Sequence, residues 1–169
     1  MNWVNSISIA VIFSMLIACN STEEYKQQFL QQSSNEWTPY FSEIAITVPD
    51  MTDHVFLISH STTCTPCLNE LSWWNREGTK IKNLGITLIV LERHKSVFKD
   101  FLEANNLDIP AYRDSSSVIF KHKLIPLPPI KLYFNNAAEI VAIENIGTNG
   151  NLATFMDKIE ESRAAINER

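Results

Sequence analysis

Basic residues are the minority in this chain: 14 Lys and Arg stand against 19 Asp and Glu in 169 residues, a formal net charge of −5. A basic footprint for nucleic acid is therefore absent. The patterns G-x-S-x-G, G-x-x-x-x-G-K-[ST] and H-E-x-x-H are also missing, which leaves hydrolase, phosphate-loop nucleotide-binding and zinc-protease readings without support. His60, His94 and His122 do not sit at ligand spacing, so no resident metal and no other cofactor is assigned. The apolar run at residues 7–18 is 12 residues long, too short to cross a hydrocarbon core of about 30 Å as a helix. Internal repeats are not evident. Cysteine is scarce, with three in the chain, and their positions carry most of the information.

Residues 1–18 bear no charged side chain, and the run at 7–18 suits the apolar region of a secretory signal. It ends in Leu16-Ile17-Ala18-Cys19, which resembles the bacterial lipoprotein box, where a small residue precedes a cysteine that is acylated and becomes the new amino terminus. That resemblance implies a lipidated Cys19 and a membrane anchor, stable when more than one acyl chain is attached. Residues 19–50 hold five acids, Glu23, Glu24, Glu36, Glu43 and Asp50, against the single base Lys26. The Glu23-Glu24 pair reads as a solvated face, and it also resembles an acidic signal for export to the cell surface. Gln- and Ser-rich composition up to residue 41 reads as a tether with one helical stretch over 23–32. The expected organisation is a signal peptide at 1–18, a lipidated tether at 19–41, one folded domain at 42–163 and a tail at 164–169.

The other two cysteines form Cys64-Thr65-Pro66-Cys67, with an apolar stretch before them and helical spacing after them. A C-x-x-C pair in that setting is a redox signature. With Cys64 opening the helix, its sulfur faces unpaired backbone N–H groups and the positive end of the helix dipole, both of which favour the thiolate. Cys67 lies one turn on, within reach of a disulfide and suited to act as the resolving thiol. Pro66 fits a first helical turn, where a missing N–H costs nothing.

Strands are expected at 43–48, 54–59 and 86–91, with the second nearly all apolar and therefore central. Between the last two, Leu68, Leu71 and Trp74 keep helical spacing, which predicts a right-handed βαβ unit. Val97, Phe98, Phe101 and Leu102 form the stripe of a further helix stopped by Asn105-Asn106. A short strand at 111–114 and a short helix at 118–121 lead to Pro126, Pro128 and Pro129. Strands at 130–134 and 139–144 make a hairpin whose loop, Asn135-Asn136-Ala137-Ala138, lacks the usual Gly. Leu152, Phe155, Met156 and Ile159 mark a closing helix.

This order, with C-x-x-C opening the first helix and proline before the hairpin, resembles the thioredoxin fold: an α/β fold with a central mixed sheet and flanking helices. Within that superfamily, residues 43–159 resemble the membrane-tethered TlpA-type thiol–disulfide oxidoreductases. The resemblance implies Cys64 as the attacking thiol, Cys67 as the resolving thiol, and a cis-proline at Pro129. It implies substrate contacts at Thr63, Thr65, Pro66, Pro128 and Ile130, with Pro128 able to offer only its carbonyl to a client strand. Glu70 occupies a position where several TlpA-type proteins carry an acid that tunes the thiols. One reading makes it a proton carrier for Cys67, and the other makes it a solvated first-turn acid stabilised by the helix dipole.

Two departures stand out. Ile58 occupies the position where relatives carry a buried Asp or Asn, which leaves Glu70 as the nearest acid for proton work. Thr63 replaces the usual Trp before the nucleophile. Trp74 shares a helix face with Cys67 and Leu71, consistent with core packing, while Trp73 points about a quarter-turn away.

The resemblance implies thiol–disulfide exchange with dithiol- or disulfide-containing proteins of a bacterial envelope, from a lipid-anchored protein facing the periplasm or exterior. The rivals are a copper or zinc chaperone that uses the same thiols and a structural lipoprotein with an inert disulfide. If Cys19 is the acylated residue, Cys19→Ser abolishes incorporation of labelled fatty acid and releases the protein from membranes; equal acylation of the variant would dismiss the anchor.

Overall fold

The computed structural model describes residues 28–30, 32–44, 47, 49–148 and 150–167. Cys19, the expected signal peptide and the Glu23-Glu24 pair lie outside them, as does most of the expected helix at 23–32, of which residues 28–30 form a turn. A five-stranded mixed sheet organises the rest, in the order β3-β2-β1-β4-β5. The strands are β1 (His54–His60), β2 (Gly85–Leu91), β3 (Ala111–Asp114), β4 (Ile130–Phe134) and β5 (Ile140–Asn145). β1 runs parallel to β2, and β2 parallel to β3, while β4 is antiparallel to both β1 and β5. The helices are α1 (Ser34–Glu43), α2 (Thr65–Arg76), α3 (Lys95–Ala104), α4 (Val118–Lys121) and α5 (Asn151–Asn167).

Strand alternation sends side chains into two apolar layers. On one face Phe56, Ile58, Ile89, Leu132 and Phe134 pack with Trp37, Tyr40 and Phe41 of α1 and with Ile119 of α4. On the other, Val55, Leu57, Leu88, Val90 and Tyr133 pack with Leu71 and Trp74 of α2, Phe101 of α3 and Phe155 of α5. A sheet covered on both faces explains why β1 and β2 read as continuous apolar runs. The hairpin between β4 and β5 closes without glycine because Asn135 Oδ1 accepts from the backbone N–H groups of Ala137 and Glu139 at 2.9 and 3.0 Å. Ala138 takes the positive φ of 56° that glycine commonly supplies.

Two expectations need correction at the amino-terminal side. No strand occupies 43–48 among the described residues: Glu43 ends α1 and Ile44 lies in a turn. The packed body also begins well inside the expected tether. Trp37, Tyr40 and Phe41 recur at i, i+3 and i+4, which places three aromatic rings on one helix face, and all three are fully buried. Trp37 stacks on Phe56 with ring centroids 5.6 Å apart and meets Phe134 edge-on at 5.6 Å. Just before α1, Ser33 bridges Glu139 in an antiparallel contact, and Ile140 N–H donates to the Gln32 carbonyl at 2.9 Å. The chain is thus hydrogen-bonded beside β5 from residue 32 onward. At the other end α5 continues to Asn167, into the segment expected as a tail.

This topology gathers the site at one end of the sheet. Ile58, near the end of β1, pairs with Ile130 at the start of β4, which pairs with Asn145 at the end of β5. The loop into α2, the proline segment before β4 and the loop after β5 therefore meet there. Because α1 is part of the core, Trp37→Ala is expected to cost about 3–5 kcal/mol, read from the denaturant midpoint at constant slope. A change near zero would return this segment to the tether.

Candidate active site

Helix α2 begins where a sulfur can serve as its cap. Cys64 is the N-cap residue, with extended backbone (φ −75°, ψ 156°), and Pro66 lies in the first turn. The Cys64 Sγ accepts from the Cys67 backbone N–H at 3.3 Å, so a donor of the helix start that would otherwise lack a partner is turned on the sulfur. Cys64 and Cys67 are joined in a disulfide with Cα atoms 5.1 Å apart. Their environments differ sharply. Cys64 is exposed, whereas Cys67 is only 2% exposed. An incoming sulfur can reach Cys64, and in-line attack there expels Cys67.

Cys67 is held under the loop that follows β5. Its sulfur lies 3.6 Å from the Ile146 carbonyl oxygen, an acceptor for the thiol proton once the disulfide is reduced. Gly147 makes the close approach possible. It has φ +79°, and a Cβ there would stand 2.6 Å from the Cys67 backbone nitrogen and 2.9 Å from its sulfur. A side chain at this position would push the loop off the disulfide.

Opposite the cysteines, the Pro128–Pro129 peptide bond is cis. Pro126, Leu127, Pro128 and Pro129 line a groove of about 470 Å³ together with Cys64, Cys67 and residues 145–148. Leu127 is 77% exposed, an apolar side chain at the edge of the groove. The structure thus brings Cys64, Cys67, Pro128 and Pro129 together. Thr65 and Pro66 are exposed on the first turn of α2, and Thr63 is half-buried just before it. Ile130 is fully buried in the sheet core, so its side chain does not line the groove. The Pro129 carbonyl is already taken by the Ile146 N–H at 3.1 Å.

Glu70 is buried, 7% exposed, which removes the reading of a solvated first-turn acid. Its Oε2 accepts from the Gly147 N–H at 2.7 Å, and its Oε1 accepts from Trp74 Nε1 at 3.3 Å and from Lys131 Nζ at 2.8 Å. None of these bonds goes to a sulfur. Its link to the disulfide runs through Gly147, which packs on Cys67. Trp74 is a core residue as expected, in an edge contact with Phe155 at 6.0 Å, and it also donates to the acid. Trp73 is half-buried and meets Trp74 edge-on at 5.1 Å.

Sequence reasoning passed over Lys131 and Gly147. The first had a visible signal, a lysine inside the apolar strand Ile130–Phe134; the second was one of only four glycines, placed just after the last strand. Among the described residues no group of three or more His, Cys, Asp or Glu side chains could hold a metal ion. His122 instead bonds Glu43 at 2.9 Å.

No family model matches the chain. It is 30% identical over 108 residues to the thiol-disulfide oxidoreductase ResA of Bacillus thuringiensis subsp. konkukian, covering 62% of each chain. It is 26% identical over 100 residues to the sporulation thiol-disulfide oxidoreductase A of Bacillus subtilis, covering 56% of this chain and 61% of that one. The chain therefore spans a little over three-fifths of the length of these relatives. Its fold is similar to the crystal structure bearing the name thiol:disulfide interchange protein DsbE from Chlorobium tepidum, with a TM-score of 0.60, 12% identity, and coverage of 72% and 84% of the two chains.

The unequal exposure of the two sulfurs gives a direct expectation for the reduced protein. Limiting iodoacetamide at neutral pH labels Cys64 first, by at least about tenfold over Cys67, a ratio worth about 1.4 kcal/mol; peptide mapping reads it. Preferential labelling of Cys67 would exchange the two roles.

Proposed function

We propose that this chain, a thioredoxin-fold protein of the TlpA/ResA type, catalyses thiol–disulfide exchange on other proteins through Cys64 and Cys67. The observation that carries the reading is the asymmetric disulfide at the start of α2, exposed at Cys64, buried at Cys67, and facing an open groove beside the cis Pro128–Pro129 bond. In the oxidising direction a client thiolate attacks Cys64 Sγ, the Cys64–Cys67 bond breaks, and Cys67 leaves as a thiolate that takes up a proton. A second client thiol loses its proton and attacks the client sulfur of the mixed disulfide. The client leaves oxidised by two electrons, and the protein holds both thiols. In the reducing direction Cys64 thiolate attacks the client disulfide, and Cys67 resolves the mixed disulfide.

The groove suits an extended client segment that carries the reacting cysteine. Pro128 has no N–H and contributes only its carbonyl as an acceptor, so main-chain pairing at this point is one-sided. Apolar contact with Leu127 and the neighbouring prolines supplies the remainder. Clients are proteins of the bacterial envelope, reached from a membrane to which Cys19 is lipid-linked; the lipoprotein-like Leu16-Ile17-Ala18-Cys19 and the preceding apolar run support this placement. Among the described residues no helix is long and apolar enough to cross a membrane.

Trapping tests the reading. Cys67→Ala should accumulate mixed disulfides through Cys64 in intact cells, visible as reductant-sensitive bands that disappear in the Cys64→Ala/Cys67→Ala variant. Absence of adducts from Cys67→Ala in cells that express the folded protein would contradict exchange with protein clients.

A further inference from the structure

The least expected side chain in the molecule is Lys131. It lies in β4 between two apolar neighbours, next to the central strand β1, and is fully buried. A buried ammonium is costly unless it is paired and hydrogen-bonded. Lys131 Nζ is placed 2.8 Å from Glu70 Oε1 and 2.9 Å from the Asn145 carbonyl, and 5.4 Å from the centre of the Phe155 ring. The partner carboxylate accepts on both oxygens from three donors: Lys131, Trp74 and the Gly147 amide. Both carboxylate oxygens of Glu70 are thus engaged by donors from three different elements or loops.

We propose that Lys131 is a positioning residue of the redox site: its buried ammonium balances Glu70, so that the carboxylate can hold the Gly147 amide over Cys67 without imposing its full negative charge on the sulfurs. The inference rests on Cys64 and Cys67 being the exchanging couple. A carboxylate alone beneath the dithiol would disfavour thiolate formation, and an ammonium alone would favour it; the pair acts as a short dipole with small net effect.

Helix α2 contributes Glu70 and Cys67, its N-cap residue contributes the Cys64 sulfur, and the Trp74 indole is a donor. Leu57 of β1 is Lys131's cross-strand neighbour on one side, and Glu144 of β5 is its neighbour on the other. The Glu144 carboxylate is bonded to Lys158 of α5 at 2.8 Å, while the same helix presents Phe155 to the ammonium. A purely structural lysine and a charge-balancing lysine predict different signs when each partner is neutralised.

The experiment is the pH dependence of iodoacetamide labelling of the reduced protein, which reads the apparent pKa of the coupled thiols without any client. Glu70→Gln should lower it, because the ammonium then acts unopposed, and Lys131→Met should raise it. The double variant Glu70→Gln/Lys131→Met should move back up from Glu70→Gln by about half a unit or more, about a threefold change in thiolate fraction below the midpoint. Should Lys131→Met fail to fold, the comparison of Glu70→Gln with the neutral double variant still isolates the ammonium. Superimposable titrations of those two, or single variants that shift in the same direction, would overturn the proposal. Opposite shifts in a protein that traps no client would leave the charge balance standing and count against the exchange reading instead.

Discussion

The start of helix α2 is the constraint to which the rest of the site conforms. Four backbone N–H groups at a helix start have no partner within the helix, and here a sulfur is set at the cap position to receive one of them, the Cys67 N–H. That choice places Cys64 outside the helical turn, exposed, and places Cys67 inside it, against the sheet. A proline in the first turn adds stiffness without the loss of a hydrogen bond. The two sulfurs, identical in chemistry, thereby acquire different accessibility and different neighbours. This asymmetry is what an exchange reaction needs.

Everything behind the disulfide serves to keep Cys67 covered. The loop after β5 can lie on it only because Gly147 has no side chain, and the loop is tied down from two sides: Ile146 N–H to the Pro129 carbonyl, and Gly147 N–H to Glu70. The first tie joins the cover to the proline wall of the groove. The second joins it to the helix that carries the cysteines. Lys131 completes the arrangement from β4 by pairing with Glu70 and the Asn145 carbonyl together. Where the family resemblance leads one to expect a buried polar group under the dithiol at the end of β1, this chain has Ile58, fully buried and apolar. The buried charged pair beside the cover of Cys67 comes instead from a helix acid, Glu70, and a strand lysine, Lys131.

Local signals in the sequence account for much of this. Strands β1, β2 and β4 are short, mostly apolar runs, and the C-x-x-C stretch sits where an apolar strand passes into helical spacing, so the core of the fold and the cysteine pair could be read directly. Helix α1 was hidden by composition: Gln and Ser dominate its surroundings, and the aromatic face of Trp37, Tyr40 and Phe41 becomes visible only at a period of 3.6 residues. The Glu70–Lys131 pair was hidden for a different reason. Its members lie on elements far apart in the chain, and only the antiparallel return of β4 beside β1 brings the lysine under α2. Gly147 likewise gains its meaning from what it touches, a cysteine on another element.

The central claim is that Cys64 and Cys67 form a working dithiol–disulfide couple rather than an inert bridge. It is tested most directly by mixing the reduced protein with a peptide that contains one disulfide and following peptide reduction and protein thiol loss together. The account predicts loss of two protein thiols per peptide reduced, in a reaction that begins at Cys64 and is at least about a hundredfold faster than with Cys64→Ser, a barrier difference of about 2.7 kcal/mol. Equal rates for the protein and its Cys64→Ser variant would contradict it.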